Sequence, residues 1–240
     1  MQASARLIRG PGPPAAWYGD IIAREPTDFE LLDAWRGGNR DAGNLLFERH
    51  FEPICRFFAN KVGDNIDDLI QRTFLGCIEG RDRFAKKSSF RTYLFAVAHN
   101  VLRMHFRDLR KAAGRNLDEP DFAQLSLDDL GPSPSSIIAI HEEQRLLLEA
   151  LRRIPLDFQV VLELYYWEDM AAPEVAEVLG IPEGTARSRL RRARELLNQK
   201  MRILARSPSL LKTTLSDLEH WVRSLREQLV AHGDDSEPSA

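Results

Sequence analysis

The stretch APEVAEVLGIPEGTARSRLRRARELL, residues 172–197, decides the fold of the C-terminal half of this 240-residue chain. Pro173 suits the first turn of a helix, where its missing N–H costs no hydrogen bond. Gly180 ends that helix, because glycine easily adopts the left-handed backbone conformation. A second helix follows at once. Two helices joined by so short a turn have the spacing of a helix-turn-helix.

The second helix of this stretch has one apolar stripe and one cationic face. Its predicted buried side consists of alanines and leucines at three- and four-residue spacings: Ala186, Leu190, Ala193 and Leu197. Between positions 187 and 194 it carries five arginines and no acid, whereas an ordinary solvated face mixes charge signs. Arginine suits the paired acceptors of guanine and phosphate oxygens. The pattern therefore favours DNA recognition in the major groove over a solvated face.

Charge is unevenly distributed along the chain, although the net charge is only -3. Residues 81–111 hold nine Lys/Arg against two Asp, and residues 184–202 hold seven against one Glu. Residues 112–136, between them, hold one Arg against five acids and include three prolines, which predicts an acidic flexible linker. Two cationic segments on an anionic tether indicate a polyanion bound at two places, with two ordinary solvated faces as the alternative.

Hydrophobic periodicity is helical almost throughout, and alternating β-type patterns are missing, which predicts an all-α protein. We expect two helical domains, residues 27–111 and 137–204, joined by the flexible acidic linker, with the helix-turn-helix in the second. An N-terminal extension, residues 1–26, and a C-terminal helical extension, residues 205–240, flank them. The predicted helices cover residues 28–37, 41–62, 66–79, 89–109, 137–153, 156–167, 173–179 and 182–204.

Several classes of protein are disfavoured by composition. No apolar run approaches the ~20 residues that cross a bilayer, and the N-terminus lacks the apolar centre of a signal peptide, so we expect a cytoplasmic protein without membrane insertion. Two cysteines are too few for a disulfide framework, and the ligand spacing of a zinc site is absent. A metal-dependent nuclease could use Asp67, Asp68 and Glu79, but the sequence has no second carboxylate cluster or histidine motif at ligand spacing. We expect no catalytic residues, no metal and no cofactor.

Two segments resemble conserved regions of bacterial RNA polymerase sigma factors of the extracytoplasmic-function (ECF) group of the sigma-70 family. Residues 151–197, with EVAEVLGIPEGTARSRLRRAR, resemble the fourth region, and residues 65–111, with DDLIQRTF and RFAKKSSFRTY, resemble the second. The resemblance implies a factor that binds core RNA polymerase and promoter DNA, directs the enzyme to promoters and helps to melt them. A helix-turn-helix regulator that does not engage polymerase is the alternative, but it does not explain the second-region motifs.

The resemblance also assigns roles to particular residues. Contacts with the upstream promoter element fall to Thr185, Arg187, Ser188, Arg191 and Arg192, while the other arginines of that helix touch phosphate or solvent. Acceptance of a flipped base at the downstream element, and melting, fall to Lys86, Lys87, Ser88, Ser89, Phe90, Asn100, Arg103 and Arg107. Docking on core polymerase falls to Asp67, Asp68, Gln71 and Phe74. The two aspartates also suit the positive end of a helix dipole.

The C-terminal extension carries a heptad seam of apolar residues spaced four and three apart: Leu211, Leu215, Leu218, Val222, Leu225 and Leu229. Its helix could instead begin at Ser216, where SDLE has the pattern of a capping box. The seam could fold back on the chain's own domains, pair with a second copy or bind a regulator. We hypothesise a regulatory extension, acting through an anti-sigma factor or through self-regulation by this helix.

Overall fold

The computed structural model describes residues 25–59, 61–62, 66–112, 141–216 and 220. Within these residues the chain forms nine α-helices and a 3-10 turn at Arg81–Arg83, and no β-strand. The helices are α1 (Asp28–Arg36), α2 (Arg40–Ala59), α3 (Ile66–Gly80), α4 (Phe90–Ala112), α5 (Glu142–Arg152), α6 (Leu156–Tyr166), α7 (Ala172–Leu179), α8 (Glu183–Leu204) and α9 (Pro208–Ser216). The all-α prediction is confirmed, and each of the eight predicted helices is present. None of the described helices combines the length and apolarity needed to span a membrane.

The chain divides into two compact units, residues 1–48 and residues 49–240. In the first unit, α1 opens with a capping box, since the Thr27 hydroxyl accepts from the N–H of Glu30 and the Glu30 carboxylate accepts from the N–H of Thr27. Trp35 meets Phe47 edge-on, with ring centroids 5.1 Å apart. A Cβ on Gly43 would lie 2.7 Å from the indole of Trp35, so only glycine fits beside that ring.

The second unit begins with an aromatic core between the end of α2 and helices α3 and α4. Phe57 and Phe58 from α2 are buried, and the Phe57 ring meets Phe95 of α4 edge-to-face at 5.7 Å. Cys77 of α3 is also buried, and burial raises the pKa of its thiol to about 12. Cys77 therefore behaves as a small apolar core residue.

Helices α5 to α8 enclose a second core, made mostly of aliphatic side chains. Leu147 and Leu151 of α5 meet Trp167, which follows α6, and α8 adds Ala193, Leu197 and Met201. The apolar stripe predicted for α8 is confirmed, because Ala193 and Leu197 lie in this core, Leu190 packs against it and Ala186 is also buried.

The turn between α7 and α8 has the predicted helix-turn-helix form. Gly180 sits in the left-handed region with φ 64° and ψ 36°. The N–H of Ile181 donates to the carbonyl of Ala176 at 3.0 Å, which closes the end of α7. α8 then begins at Glu183, immediately after Pro182. The glycine is required here because a side chain at this φ is strained.

The two predicted domains touch each other within residues 49–240, where α7 packs along α4. Their independence as domains therefore stays a prediction. The linker at residues 112–136 and the N-terminal extension lie outside the described residues, apart from Ala112 and residues 25–26.

The described part of the C-terminal extension folds back onto its own chain. α9 packs against α5 and α8, and Leu210, Leu211 and Leu215 lie against the core of the C-terminal helices. The Ser207 hydroxyl accepts from the N–H of Leu210 at 3.1 Å, so the helix begins at Pro208 rather than at the alternative start, Ser216. The rest of the heptad seam lies outside the described residues.

We predict that Gly180→Ala lowers the free energy of unfolding by roughly 1–2 kcal/mol, because alanine pays the left-handed penalty at this φ. A Cβ at Gly180 would meet nothing within 4 Å, so the loss reports backbone strain and no clash. Urea unfolding followed by circular dichroism measures the difference.

Gly184→Ala is the matched control, because Gly184 lies in the first turn of α8 and its Cβ would also meet nothing within 4 Å. We expect this variant to be neutral or stabilised by about 0.5–1 kcal/mol, since helical glycine is entropically costly. Equal unfolding midpoints for the two variants would contradict the role given to the turn.

Candidate nucleic-acid interface

The arginines of α8 divide into two sets by what their side chains touch. Nη1 of Arg189 lies 3.3 Å from the Asp157 carboxylate of α6. The guanidinium of Arg194 lies over the rings of Tyr165 and Tyr166, 5.1 and 5.3 Å from their centroids. These two arginines are held by their own protein. Both keep part of their surface accessible, so the expectation that they also touch phosphate or solvent stays a prediction.

The remaining arginines of the set face outward and share one side of α8. Arg187, Arg191 and Arg192 are exposed, and the Arg187 side chain keeps 69% of its surface accessible. Arg187 pairs with Glu183, and Arg192 with Glu195 at 3.1 Å, both within the same helix. Surface pairs of this kind are weak and exchange readily for phosphate or base acceptors.

Two hydroxyl side chains lie next to these arginines near the start of α8. The Ser188 hydroxyl is exposed and donates to the backbone carbonyl of Thr185 at 2.9 Å, which leaves its oxygen free to accept. Thr185 is half-buried in the first turn, where helix N–H groups favour an anion. The structure brings all five residues predicted for the upstream element to one end of one helix.

The segment at the start of α4 differs from its prediction in one side chain, that of Phe90. Phe90 keeps only 1% of its surface accessible and packs among Phe84, Tyr93 and His50, so it cannot wall an accessible base site. Ser89 caps α4, since its oxygen accepts from the N–H of Thr92 at 3.0 Å. The Phe90 ring predicted for base recognition is therefore buried and holds the loop instead, while the exposed Ser89 side chain serves as the helix cap.

The base-sized space beside this loop is lined by other residues. A cavity of about 480 Å³ opens between the end of α3, the loop and the start of α4. Phe84 and Tyr93 stack at its wall with centroids 4.5 Å apart and planes 18° apart. Lys87 and Ser88 also line it. The sequence analysis missed Phe84 as the aromatic wall, although its place beside the predicted loop was a usable signal.

Tight packing at the mouth of this cavity depends on a glycine at the end of α3. A Cβ on Gly80 would come within 2.1 Å of the Tyr93 hydroxyl, so any larger residue would displace that ring. Lys86 adopts a left-handed φ of 54°, which turns the loop sharply before Lys87. Both features fix where the aromatic wall stands.

Helix α4 continues the same surface with a polar stripe. Asn100, Arg103 and Arg107 are exposed and lie three and four residues apart on one face, together with Met104. The opposite face buries Leu102 and Phe106. This arrangement presents an amide and two guanidinium groups beyond the cavity, in the order predicted for the downstream element.

Helix α3 presents an acidic surface, in contrast to the cationic stripe of α4. Asp67, Asp68 and Gln71 are exposed, and Asp68 pairs with Arg72 at 2.9 Å. The ring of Phe74 stacks on Phe51 of α2, with centroids 6.1 Å apart and planes 11° apart.

Apolar side chains extend this face of α3. Leu75, Ile78 and Phe51 are 48%, 46% and 43% exposed, and the sequence analysis missed all three. Leu75 and Ile78 stand four and seven residues after Gln71, which is the spacing that could have identified them. Acids beside exposed apolar residues are typical of a protein-binding surface. No group of three His, Cys, Asp or Glu side chains in the described residues could hold a metal ion.

Comparison with known proteins identifies the family. Residues 46–112 match the family model "Sigma-70 region 2", and residues 144–197 match "Sigma-70, region 4". The chain belongs to the ECF group of the sigma-70 family. It is similar to the ECF RNA polymerase sigma-E factor of Haemophilus influenzae, with 26% identity over 192 residues, which cover 76% of this chain and 100% of that protein. The Escherichia coli sigma-E factor is 23% identical over 194 residues, 77% of this chain and 100% of its own length.

Solved structures show the same fold. The sigma factor RpoE in complex with the anti-sigma factor NepR from Bartonella quintana matches with a TM-score of 0.52 and 18% identity, over 68% of this chain and 98% of that chain. CnrH in complex with the cytosolic domain of CnrY matches with a TM-score of 0.54 and 22% identity, over 74% of this chain and 99% of that chain. The present protein is thus a sigma factor, a non-enzymatic initiation factor that binds core RNA polymerase and directs it to promoter DNA.

One titratable group of this sigma factor is buried on the inner side of α4. His99 of α4 is buried, and burial together with the charges of Arg103, Lys61 and Arg189 lowers its pKa from 6.5 to about 4. As the pH falls from 6.5 to about 4, the unfolded chain protonates this imidazole and the folded chain does not. The free energy of unfolding therefore decreases with falling pH in this window.

We predict that His99 alone removes about 3 kcal/mol of stability by pH 4. His99→Gln should flatten the dependence of the free energy of unfolding on pH between 6.5 and 4, when measured by urea titration at several pH values. Because both proteins contain the same carboxylates, subtracting their free energies of unfolding at each pH removes the contribution of the carboxylates that titrate in the same range. Parallel pH curves for the two proteins would contradict a buried neutral imidazole.

Proposed function

We propose that region 4 of this sigma factor reads the upstream promoter element through the outward face of α8. The observation that carries the proposal is the division of the arginines, since Arg189 and Arg194 are bound by the protein while Arg187, Arg191 and Arg192 are exposed. Exposed arginines near the start of a recognition helix are placed to meet base edges in the major groove. The Ser188 hydroxyl and Thr185 add shorter contacts at the same end.

Region 2, in this proposal, reads and melts the downstream element. The cavity beside the loop takes a base flipped from the non-template strand, which stacks against Phe84 and Tyr93 while Lys87 and Ser88 contact the strand and the base edge. Lys86 neutralises the adjoining phosphate. The exposed stripe of α4, with Asn100, Arg103 and Arg107, follows the opened strand. Phe90 and Ser89 keep a positioning role in the loop and do not touch the base.

Docking on core polymerase falls to α3 and its surroundings. Asp67, Asp68 and Gln71 face basic side chains of the polymerase, and the stacked pair Phe74 and Phe51 lies beside them. The protein then works in the cytoplasm, where polymerase and chromosome are found. The availability of this sigma factor to core polymerase is controlled by a bound protein, as in the complexes of RpoE and CnrH, or by the C-terminal extension of the chain itself.

The whole proposal is tested by mixing the protein with bacterial core polymerase and a genomic promoter library, and mapping transcript starts. New start sites that share an upstream and a downstream element are expected. Tight sequence-specific DNA binding by the free protein, with no new starts in the presence of core enzyme, would favour the helix-turn-helix regulator that does not engage polymerase.

We predict that Arg191→Ala relaxes discrimination between an intact and a scrambled upstream element by ~1–3 kcal/mol if the guanidinium reads a base. If it holds phosphate, transcription from all promoters weakens evenly. Arg202→Ala is the matched control, because Arg202 is an exposed arginine in the last turn of the same helix. Run-off transcription on paired templates measures the ratio, and equal losses in the two variants would count against readout by the start of α8.

We also predict that replacing Asp67 and Asp68 together by alanine lowers the affinity for core polymerase by about tenfold, roughly 1.4 kcal/mol. The physical reason is the loss of two exposed carboxylates from a surface that meets cations. Asp82→Ala serves as control, since Asp82 is an exposed acid just after α3 that pairs with the neighbouring Arg81 in the 3-10 turn. Fluorescence anisotropy of labelled protein against core enzyme gives both values, and unchanged affinity in the double variant would exclude this face as the docking surface.

A further inference from the structure

Both rings that wall the cavity of region 2 are placed by a single residue, Gly80 at the end of α3. The N–H of Phe84 donates to the carbonyl of Gly80 at 3.1 Å, which fixes where the chain leaves the 3-10 turn. The Tyr93 hydroxyl occupies the space that a side chain on Gly80 would fill, because a Cβ there would lie 2.1 Å from it. One position therefore sets the place of two side chains that come from the loop and from α4.

The fit between Tyr93 and Gly80 depends on the hydroxyl oxygen. The next ring atoms, Cζ and Cε2, would lie 3.3 and 4.0 Å from a Cβ at this position, so a small shift would accommodate them. The backbone of Gly80 has a φ of −89° and a ψ of −8°, at negative φ, where alanine pays no left-handed penalty. Glycine is therefore needed at this position for the space it leaves and not for backbone freedom.

The Tyr93 ring is enclosed on the sides that do not face the cavity. It stacks on Phe84 with planes 18° apart, and the buried Phe90 ring lies against both, with centroids 6.1 Å from Tyr93 and 6.3 Å from Phe84. The end of α3 encloses the hydroxyl. A Cβ at Gly80 would therefore move the ring out of its stack or into the cavity, and either change removes the surface on which a base could lie.

The place of the Tyr93 hydroxyl is uncharged. Burial raises the pKa of Tyr93, and nearby Cys77 adds to this effect while Arg83 opposes it. The C-terminal end of α3 carries a partial negative charge, which also disfavours a phenolate. The hydroxyl therefore stays neutral at physiological pH, and the position of the ring follows from shape alone.

We propose that Gly80 is a positioning residue of the base site, which leaves room for the Tyr93 hydroxyl and anchors Phe84, so that the two rings form a fixed platform for the flipped base. The proposal rests on the base-binding role proposed for this cavity. Gly80 acts through Tyr93, so a methyl group at this position switches the site off without removing either ring. Stacking of a base on an aromatic side chain is strong enough that loss of the platform should cost about tenfold in affinity for the opened strand.

Abasic sites in a forked promoter probe test this role. The probe is taken from a promoter mapped with this sigma factor and core polymerase, and its non-template strand is single-stranded across the downstream element. An abasic site replaces each nucleotide of that element in turn, and fluorescence anisotropy gives the affinity of the holoenzyme for each probe. The position that occupies the cavity is the one at which the cost of base removal disappears in Phe84→Ala.

We expect base removal at that position to cost the unmodified holoenzyme about tenfold in affinity. Gly80→Ala should bind the intact probe about tenfold more weakly, and base removal should then cost less than about twofold, because the stacking is already lost. In the double variant Gly80→Ala with Tyr93→Phe the clashing oxygen is gone, so the cost of base removal should return to its value in Tyr93→Phe alone. The costs at the other positions serve as the internal control and should not change, and circular dichroism confirms that each variant is folded.

The outcomes separate this role from the function on which it rests. A full cost of base removal in Gly80→Ala, or no recovery in the double variant, would overturn the positioning role. Equal changes at every position would also overturn it, since they would indicate a general disturbance of region 2. If no position in the unmodified protein depends on Phe84, the base-binding role of the cavity is refuted instead.

Discussion

The arrangement of this protein depends on the requirement that a buried charge have a partner. Lys61 has almost no access to water, and the carboxylate that balances it belongs to the other half of the chain. Glu168 is a buried carboxylate of region 4 that likewise needs partners from the other half, and these are Arg56 and Arg91 of region 2. Neither half can bury these groups alone. The two regions therefore specify one another's position through charge, while each builds its own apolar core.

A second constraint acts within region 4, where small residues decide how α8 lies. Ala186 and Ala193 are almost fully buried, and their size lets the helix approach its neighbours closely. Once that side of the helix is fixed, the rotation of every arginine is fixed with it. Arg189 and Arg194 point toward α6 and its tyrosines, and the rest point to solvent. Which arginines face solvent thus follows from alanine packing as much as from the arginines themselves.

In region 2, packing decides which aromatic rings near the start of α4 are buried and which are exposed. Phe90 was expected at the surface, but as the first residue of α4 it turns inward between Phe84 and Tyr93. The half-exposed rings of those two residues line the cavity instead. A loop of mixed aromatic and polar residues has no regular spacing, so the sequence does not show which of its side chains are buried and which are exposed. Only the three-dimensional path, with its left-handed turn at Lys86, settles which ring faces out.

The sequence by itself determined the helices, the glycine turn between α7 and α8, the buried stripe of α8 and the family. These depend on local backbone preference and on spacing along one helix, which a sequence displays directly. Tertiary structure alone decided that the halves touch, that Lys61 meets Glu163 across 102 positions, and that Phe90 is buried while Phe84 is not. The physical reason is that a charge pair or an aromatic wall is formed by groups that are distant along the chain. The spacing of residues in the sequence therefore does not predict which of many acids will pair with a given cation.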